Sequence, residues 1–368
     1  MSRVLIVGAG LTGSLCACLL RREMQNKVQI VVWDKARGSG GRMSTTRPPD
    51  PSSHSADLGA QYITATPAYS QSHHSVYSEL LSAGLLQPLA SLVEGLNHRD
   101  GNQDYVTPLG MCSIVKHFLS ESGADLFLER HVTGLYRRGA SWEVQRKAGD
   151  SEMFDAVVMT MPVPQILQLH GDVGPLLSVQ QKQQLDGVVY SSRFAVALFF
   201  SPDVVFSFPW SARYVPDNRC IRYIKHNADS SRLGPSLVVH TSVSFGAEHL
   251  ERDTQDVQPI ILQELHTLLP ALPQPISIKC HKWRYSQVLT AVPGCPGQMT
   301  VLERPLLVCA GDAFVHSNFD GCVESALSTL RVLKASLGLE GIQLRPEVSL
   351  LSLTSGLYTD QQSTQVIS

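Results

Sequence analysis

Val4-Leu5-Ile6-Val7-Gly8-Ala9-Gly10-Leu11-Thr12-Gly13 begins the most informative segment of the chain, and Val31-Val32-Trp33-Asp34 ends it. This order predicts a strand, a glycine turn, a helix and a second strand that finishes in an acid. In a dinucleotide-binding unit, Gly8 permits the tight turn, Gly10 lets the pyrophosphate approach the backbone, and Gly13 lets the helix pack closely. The helix directs unpaired N–H groups at the phosphates. Asp34, 21 residues after Gly13, is predicted to accept hydrogen bonds from the adenosine ribose.

The uncharged stretch from Val4 to Leu20 also resembles a signal peptide or half of a membrane helix. Its 17 residues contain three glycines and are short for a bilayer span, which needs about 20 residues. Cleavage near Ala17 would remove the glycine turn, so a cleaved signal and a working nucleotide site exclude each other. We therefore favour the nucleotide site and predict no membrane span.

Composition restricts the possible partners and the compartment. The 368 residues are 43% hydrophobic and 17% charged, enough for two domains with their own cores. A net charge of −2 gives no reason to expect nucleic acid as a partner. The eight cysteines are scattered and no C-x-x-C occurs, so we predict no metal site. Buried free thiols favour a reducing compartment, which predicts the cytoplasm.

A glycine-rich loop follows the ribose-binding acid. It reads Lys35-Ala36-Arg37-Gly38-Ser39-Gly40-Gly41-Arg42. A plain loop also explains the glycines. The functional interpretation is that the backbone comes close to the pyrophosphate while Arg42 supplies a fixed positive charge. Residues 46–55 are predicted to form a surface loop by composition.

Several motifs in order resemble the flavin amine-oxidase superfamily. They are the Gly8-x-Gly10-x-x-Gly13 turn, Gly40-Gly41-Arg42, Thr160-Met161-Pro162, and Gly311-Asp312 before a helix at 321–337. The resemblance runs from residue 1 to about residue 337. It implies an α/β fold: a Rossmann-type FAD-binding domain with an inserted mixed β-sheet substrate domain, as in the amine oxidases and p-hydroxybenzoate hydroxylase.

The resemblance also predicts a discontinuous domain organisation. The FAD-binding domain is expected from residues 1–64, 105–162 and 290–337, and the substrate domain from residues 65–104 and 163–289. Residues 338–368 are rich in Ser, Thr and Gln and are expected to form a poorly ordered tail.

A flavin has to be held along its whole length, which calls for contacts late in the chain. Asp312 can hold ribityl or phosphate-side groups, and a helix-capping acid is the less favoured alternative. The N-terminus of helix 321–337 is expected to stabilise negative charge on the flavin ring. By resemblance Val132 marks the strand over the adenine, although a plain core valine fits equally well. The predicted FAD contacts are Gly8, Gly10, Thr12, Gly13, Asp34, Lys35, Gly41, Arg42, Gln61, Tyr62, Val132, Thr160, Asp312, Gly321, Cys322 and Val323.

Two departures from the superfamily pattern narrow the expected chemistry. Many amine oxidases attach flavin through a cysteine shortly before the last helix, whereas residues 314–319 contain no thiol. We therefore predict non-covalent FAD. The superfamily also uses a lysine near the flavin and a pair of facing tyrosines, and no segment clearly supplies either one.

A narrower likeness is to a subgroup understood to oxidise the 2- and 6-dihydro isomers of NAD(P) to NAD(P)⁺, with O₂ reduced to H₂O₂. This reaction needs a stacked, water-free site more than an acid or base. The substrate-face candidates are Tyr62, Tyr214, His240 and Trp283, of which His240 and Trp283 also fit ordinary core packing. His73-His74 is interpreted as a solvated helix face.

Two other function classes stay open on the sequence. One is a flavin monoamine or catecholamine oxidase. The other is a non-catalytic secreted signalling protein on the same fold. The family resemblance implies secretion, against the cytoplasm that the thiols favour, and the oligomeric state is left open.

Overall fold

The apolar runs that flank the glycine turn become the centre of a parallel sheet. The computed structural model describes residues 1–46, 55–96, 99–227 and 234–338. Most of the predicted surface loop at 46–55 and nearly all of the predicted tail therefore lie outside the described residues.

Strands and helices alternate along the chain. The strands are β1 (Ser2–Val7), β2 (Val28–Trp33), β3 (Thr45–Thr46), β4 (Ala56–Asp57), β5 (Ile63–Ala65), β6 (Gln87–Pro88), β7 (Val93–Glu94), β8 (Gln103–Val106), β9 (Asp125–Phe127), β10 (Val132–Arg138), β11 (Ser141–Arg146), β12 (Ser151–Phe154), β13 (Ala156–Met159), β14 (His170–Gly171), β15 (Val189–Tyr190), β16 (Arg193–Phe199), β17 (Ala212–Tyr214), β18 (Ile221–Asn227), β19 (Ser236–Thr241), β20 (Ser277–Trp283), β21 (Val288–Thr290), β22 (Gln298–Glu303) and β23 (Leu306–Ala310). The helices are α1 (Leu11–Met24), α2 (Pro67–Ser72), α3 (His74–Ser82), α4 (Cys112–Ser122), α5 (Val163–Leu167), α6 (Val173–Leu176), α7 (Val179–Asp186), α8 (Val243–Glu248), α9 (Thr254–Leu268) and α10 (Phe319–Ser336). Short 3₁₀ turns occur at Gln25–Lys27, Gly41–Met43 and Asp312–Phe314.

The first sheet has six strands in the order β22-β23-β13-β1-β2-β9. Strands β23, β13, β1, β2 and β9 run parallel, and β22 is antiparallel to β23. Its central strands are buried on both faces, which explains their continuous apolar sequence. Val4 and Ile6 pack towards α1, α4 and α10, while Leu5 and Val7 pack towards the β10–β12 layer.

The strands between Asp125 and Met159 are divided between two sheets. Strands β10, β11 and β12 form the antiparallel layer. The pieces on either side of it join the parallel sheet instead, because β9 pairs with β2 and β13 pairs with β1. Alternation within each segment cannot reveal which sheet a strand joins, because the pairing partner lies far away in sequence.

The second large sheet has the order β20-β16-β19-β18-β17-β7. Helices α8 and α9 cover one of its faces, with Val257, Ile261 and Leu265 in that core. Its other face carries Ala195, Ala197 and Val238, which pack on Ala56 and Leu58 of the nucleotide-binding part. The α/β class with a mixed second sheet is confirmed, whereas the exact domain boundaries stay a prediction.

The structure shows the state of the cysteines, the character of the helices and the grouping of possible metal ligands. All eight cysteines are free thiols. Within the described ranges, no helix combines the length and the apolar character that a bilayer span requires, and no group of His, Cys, Asp and Glu has the arrangement of a metal site.

Candidate active site

The glycine turn brings α1 close against the sheet. Gly8 has a φ of +117°, a conformation that favours glycine, and its N–H donates to the Trp33 carbonyl at 2.7 Å. A Cβ on Gly13 would lie 1.9 Å from the Gly8 carbonyl oxygen, so only glycine fits there. Gly10 caps α1 with no side-chain hydrogen bond, which leaves first-turn N–H groups for a ligand.

A cavity of about 1030 Å³ begins at this turn and extends between the two large sheets. This volume reaches the upper end of the range for small-molecule sites, roughly 300–1,000 Å³. Eleven of the predicted FAD contacts line it, namely Gly8, Gly10, Thr12, Asp34, Lys35, Gly41, Arg42, Val132, Thr160, Asp312 and Cys322. Gly13, Gln61, Tyr62, Gly321 and Val323 are not part of the lining.

Asp34 has a structural task beside the predicted ribose contact. One carboxylate oxygen accepts the Ala9 N–H at 2.7 Å and the other accepts the Ala36 N–H at 2.8 Å. The acid therefore fixes both the glycine turn and the start of the glycine-rich loop. Each oxygen keeps a second lone pair, so ribose hydroxyls can still donate to it.

Arg42 and Asp312 form a bidentate ion pair across the cavity wall. The Arg42 Nη1 and Nη2 atoms each lie 2.6 Å from an Asp312 carboxylate oxygen. Ser317 donates a further hydrogen bond to Asp312 at 2.7 Å. Burial alone would raise the pKa of Asp312, but the charge and hydrogen bonds of Arg42 outweigh it and hold this pKa below its usual value. From the sequence, Arg42 and Asp312 were predicted as separate FAD contacts, and their pairing with each other was not predicted.

The last helix begins two residues before the predicted start. Its cap is Asn318, whose side chain accepts the Gly321 N–H at 2.7 Å, and the Cys322 N–H points to the Asn318 carbonyl. Gly321, Cys322 and Val323 were expected to contact FAD at this helix start, but the Asn318 cap uses the Gly321 and Cys322 N–H groups, and Val323 lies deeper in the helix. The N–H groups at Phe319 and Asp320 occupy the first turn.

Cys322 contributes a side chain rather than a backbone donor. It lines the cavity beside Thr12, with which it shares a side-chain hydrogen bond. Burial raises the pKa of the Cys322 thiol to about 12, so the residue is neutral near pH 7.

Gln61 and Tyr62 lie behind the cavity wall. The Gln61 amide donates to the carbonyls of Asp57 and Gly59, and its Oε1 has no partner among the described residues. The Tyr62 and Tyr214 hydroxyls are hydrogen bonded to each other. Tyr214 also packs on Tyr223 at a ring-centroid distance of 4.9 Å.

A half-buried lysine lies beside this tyrosine pair, although the sequence indicated neither feature clearly. Lys225 donates to the Gln61 carbonyl at 3.1 Å. Burial lowers the pKa of Lys225, and the nearby Asp57 opposes that shift. Tyr62, Tyr214 and Lys225 do not line the cavity, and they lie in the layer of residues around it.

Of the substrate-face candidates, Trp283 alone lines the cavity. Its indole Nε1 donates to the Leu58 carbonyl at 2.9 Å, which fixes the ring plane. His240 is 1% exposed and lies in the second sheet. Burial, followed by the charge of Arg193, lowers the pKa of His240 to about 3, so its imidazole is neutral.

The interpretation of His73 as part of a solvated face is wrong. His73 is 4% exposed, and its Nδ1 lies 2.8 Å from a carboxylate oxygen of Asp320, which is fully buried. The Tyr77 hydroxyl donates to the same carboxylate at 2.9 Å. Only His74 faces solvent. The buried set His73, Tyr77 and Asp320 supports the start of α10, and no local pattern in the sequence indicated it.

These features fit FAD. The uncapped start of α1 suits the pyrophosphate, and Asp34 suits the ribose. The cavity then continues to Trp283 and Cys322, far enough along the fold for a cofactor held from end to end. A Cβ on Gly41 would lie 3.3 Å from the Gly10 Cα, so the glycine-rich loop closes directly over the turn.

Comparisons with known proteins agree with this geometry. Residues 6–80 match the family model of the NAD(P)-binding Rossmann-like domain, and residues 76–329 match that of the flavin containing amine oxidoreductases. The chain is 49% identical to renalase of Mus musculus over 339 residues, which cover 91% of this chain and 99% of that protein. A putative protoporphyrinogen oxidase from Exiguobacterium sp. 255-15 has a similar fold, with a TM-score of 0.70 at 13% identity over 91% of this chain and 99% of its own.

The fold and the cavity define an FAD-dependent oxidoreductase of the Rossmann type. Among such enzymes, the chain belongs to the renalase family of the flavin-containing amine oxidoreductases.

Proposed function

We propose that the protein oxidises the 2- and 6-dihydro isomers of NAD(P) to NAD(P)⁺ and that O₂ is reduced to H₂O₂. When bound, FAD supplies a hydride acceptor at N5 and a route for the electron pair to O₂. The dihydropyridine loses one hydride, and the hydride with one proton from solvent converts O₂ to H₂O₂. Formation of the aromatic NAD(P)⁺ ring makes the hydride transfer favourable.

The observation that carries this proposal is the apolar end of the cavity, formed by Ala60, Ile63, Trp283, Phe319 and Cys322. All five residues line the cavity and belong to or pack on one apolar core. Only Cys322 among them titrates, and burial raises its pKa to about 12. Such walls exclude water and hold a planar ring, and none of the five side chains is a base near pH 7. The neighbouring imidazole, His281, packs against Trp283 at a ring-centroid distance of 4.2 Å. Hydride transfer from a dihydropyridine needs no base.

The residues around this end orient rather than react. Trp283 presents a ring plane fixed by its hydrogen bond to Leu58, on which a nicotinamide can stack. The Arg42–Asp312 pair keeps the carboxylate ionised and occupied, so it does not act as a free base. Correct placement of two reacting rings supplies a large part of the rate enhancement in such a reaction.

Amine oxidation is the second candidate. The name of the matching family supports it, and so do the Tyr62–Tyr214 pair and Lys225, which are the residue types the superfamily uses. In this chain the two hydroxyls bond each other and the lysine is bound to the Gln61 carbonyl. None of the three lines the cavity, which favours the dihydronicotinamide reaction.

Anaerobic mixing separates the candidates. Purified flavin-loaded protein is mixed in turn with 6-dihydroNAD, with ordinary NADH as the isomer control, and with a catecholamine, while the absorbance of oxidised flavin is followed. We expect prompt bleaching by 6-dihydroNAD alone, then H₂O₂ on admission of air. Bleaching by the catecholamine alone selects the amine oxidase. Protein that binds no FAD selects the non-catalytic alternative.

For the compartment we propose the cytoplasm, because eight free thiols suit a reducing environment. Secretion, implied by the family likeness, is the alternative. Fractionation of cells that express the full chain, with immunodetection in the medium and the cytosol, distinguishes the two locations.

A further inference from the structure

Three side chains on one face of β20 form a row that leads out of the cavity. Trp283, His281 and Lys279 alternate along the strand and so point to the same side, about 7 Å apart. Trp283 and His281 line the cavity, with ring centroids 4.2 Å apart. Lys279 is exposed and donates to the Thr46 hydroxyl. The row therefore runs from an aromatic ring through an imidazole, both of which line the cavity, to an exposed ammonium group outside the lining, at what we term the cavity entrance.

A second cation faces this entrance from the glycine-rich loop. Gly38 and Gly40 line the cavity opposite β20, and the exposed Arg37 directly precedes them. The loop lies near Lys279, because Lys279 contacts Thr46 while Cys112 contacts both the neighbouring Thr45 and Ser39 of the loop. Burial, followed by the charge of Arg37, lowers the pKa of Lys279. Within the described ranges, no ion pair joins either of them to a carboxylate. By contrast, Arg284, which follows the opposite end of the strand, is paired with Glu251.

Two like charges held close together raise the free energy of the protein, and an anion between them lowers it. The phosphates of FAD are already provided for at the uncapped start of α1. The dihydronicotinamide substrate carries a pyrophosphate of its own, separated from its ring by one ribose. His281 lies at the corresponding intermediate position in the row, where an imidazole can hydrogen bond ribose hydroxyls.

We propose that Arg37 and Lys279 bind the pyrophosphate of the substrate dinucleotide while its nicotinamide ring stacks at Trp283. This inference rests on the proposed function and adds a phosphate site to it. The site selects dinucleotide substrates over the corresponding ribosides, which lack phosphate. Binding through it is electrostatic and therefore weakens as salt is added.

The test uses the full flavin-loaded protein and two substrates, 6-dihydroNAD and 6-dihydronicotinamide riboside. The variants are Lys279→Gln, Arg37→Gln and the double substitution, with Lys116→Gln on the exposed face of α4 as the matched control. We expect KM for the dinucleotide to rise roughly threefold in each single variant and about tenfold in the double variant, as for exposed charge contacts. kcat, the riboside kinetics and the FAD affinity stay within about twofold.

Each outcome decides a separate question. If both substrates bleach the wild-type protein and the double variant has an unchanged KM for the dinucleotide, the phosphate site is overturned and the proposed function is not. A KM increase that is equal for the riboside also overturns the phosphate site, because the effect would then be a distortion of the ring site. A loss of FAD affinity assigns the two cations to the cofactor instead. Wild-type protein that neither substrate bleaches overturns the proposed function and this inference with it.

Discussion

Arg42 and Asp312 are 270 residues apart in the sequence and form a bidentate ion pair with both N–O distances at 2.6 Å. The pair joins the glycine-rich loop to the segment that follows β23, and both residues line the cavity. The Asp312 side chain is 6% exposed and that of Arg42 is 26% exposed. The pair is therefore a clamp between distant segments of the cavity wall.

The first prediction concerns this clamp. Asp312→Asn leaves the Arg42 guanidinium without its charge partner and frees the glycine-rich loop. We expect FAD affinity to fall at least roughly tenfold, and the free energy of unfolding of the apoprotein to fall by about 2 kcal/mol, less than for a fully buried pair. Titration of apoprotein with FAD, followed by flavin fluorescence, measures the first quantity, and urea unfolding measures the second.

Arg22 provides the matched control, because it forms a bidentate pair with Glu79 at 2.7 and 2.9 Å away from the cavity. Arg22→Gln is expected to cost less than about 1 kcal/mol and to leave FAD binding unchanged. FAD binding of wild-type strength in Asp312→Asn would show that the charge pair does not organise the cofactor site.

Local sequence was sufficient for the nucleotide-binding unit. Strand β1, the glycine turn, α1, β2 and Asp34 are consecutive, so their hydrophobic pattern and glycine spacing contain nearly all the information needed. The contacts between distant segments were not predictable in this way. Arg42–Asp312 and Tyr62–Tyr214 form only when separate parts of the chain fold together, and no spacing rule connects them.

The physical reason for a glycine at position 321 becomes visible only in the structure. This residue was expected to contact the flavin, yet a Cβ there would lie 2.1 Å from the His316 carbonyl oxygen. Glycine is therefore required by the turn that packs against the start of α10. The position of the helix was predicted well, whereas the role of its first residues depended on the exact cap at Asn318.

The second prediction concerns the buried set around Asp320. Asp320→Asn removes the charge that accepts hydrogen bonds from both His73 and Tyr77. Loss of one member of a fully buried network leaves the others unsatisfied, so we expect a cost of about 3 kcal/mol in the free energy of unfolding. His73→Gln is expected to cost about 2 kcal/mol. Both values are measured by urea unfolding at neutral pH.

The neighbouring histidine is the control for that experiment. His74 is exposed, and its imidazole contacts only the Ser78 hydroxyl in the described structure. His74→Gln is expected to change the free energy of unfolding by less than about 0.5 kcal/mol. Equal effects of His73→Gln and His74→Gln would contradict the burial of His73 and restore its interpretation as a surface residue.

The third prediction is a pH dependence from His240. Burial and the Arg193 charge lower the pKa of His240 to about 3, whereas an unfolded histidine has a pKa near 6.5. Below about pH 6.5 the unfolded chain binds a proton that the folded chain does not, so this contribution to stability is lost as the pH falls. We expect His240 to account for about 2 kcal/mol of lost stability at about pH 5. Urea unfolding of wild-type protein and His240→Leu, at about pH 5 and above about pH 6.5, measures the difference.

His266 on the last turn of α9 serves as the control, because it is exposed. The pH dependence of His266→Gln is expected to match that of the wild type. A wild-type slope that persists unchanged in His240→Leu would assign the acid sensitivity to other groups and would show that folding does not shift the pKa of His240.

The last prediction concerns Trp283, whose indole forms the fixed wall of the apolar cavity end through its hydrogen bond to the Leu58 carbonyl. Trp283→Phe keeps an aromatic face but loses that bond, and Trp283→Ala removes the face. In stopped-flow reduction by 6-dihydroNAD, we expect the bleaching rate to fall roughly threefold and roughly thirtyfold respectively, because a misplaced ring loses the near-attack geometry. FAD affinity should stay within about twofold. Trp210→Phe, buried in the core on the far face of the second sheet, is the matched control and should lower stability without slowing reduction. Unaltered bleaching by Trp283→Ala would remove Trp283 from the substrate face and leave the stacking surface to another residue.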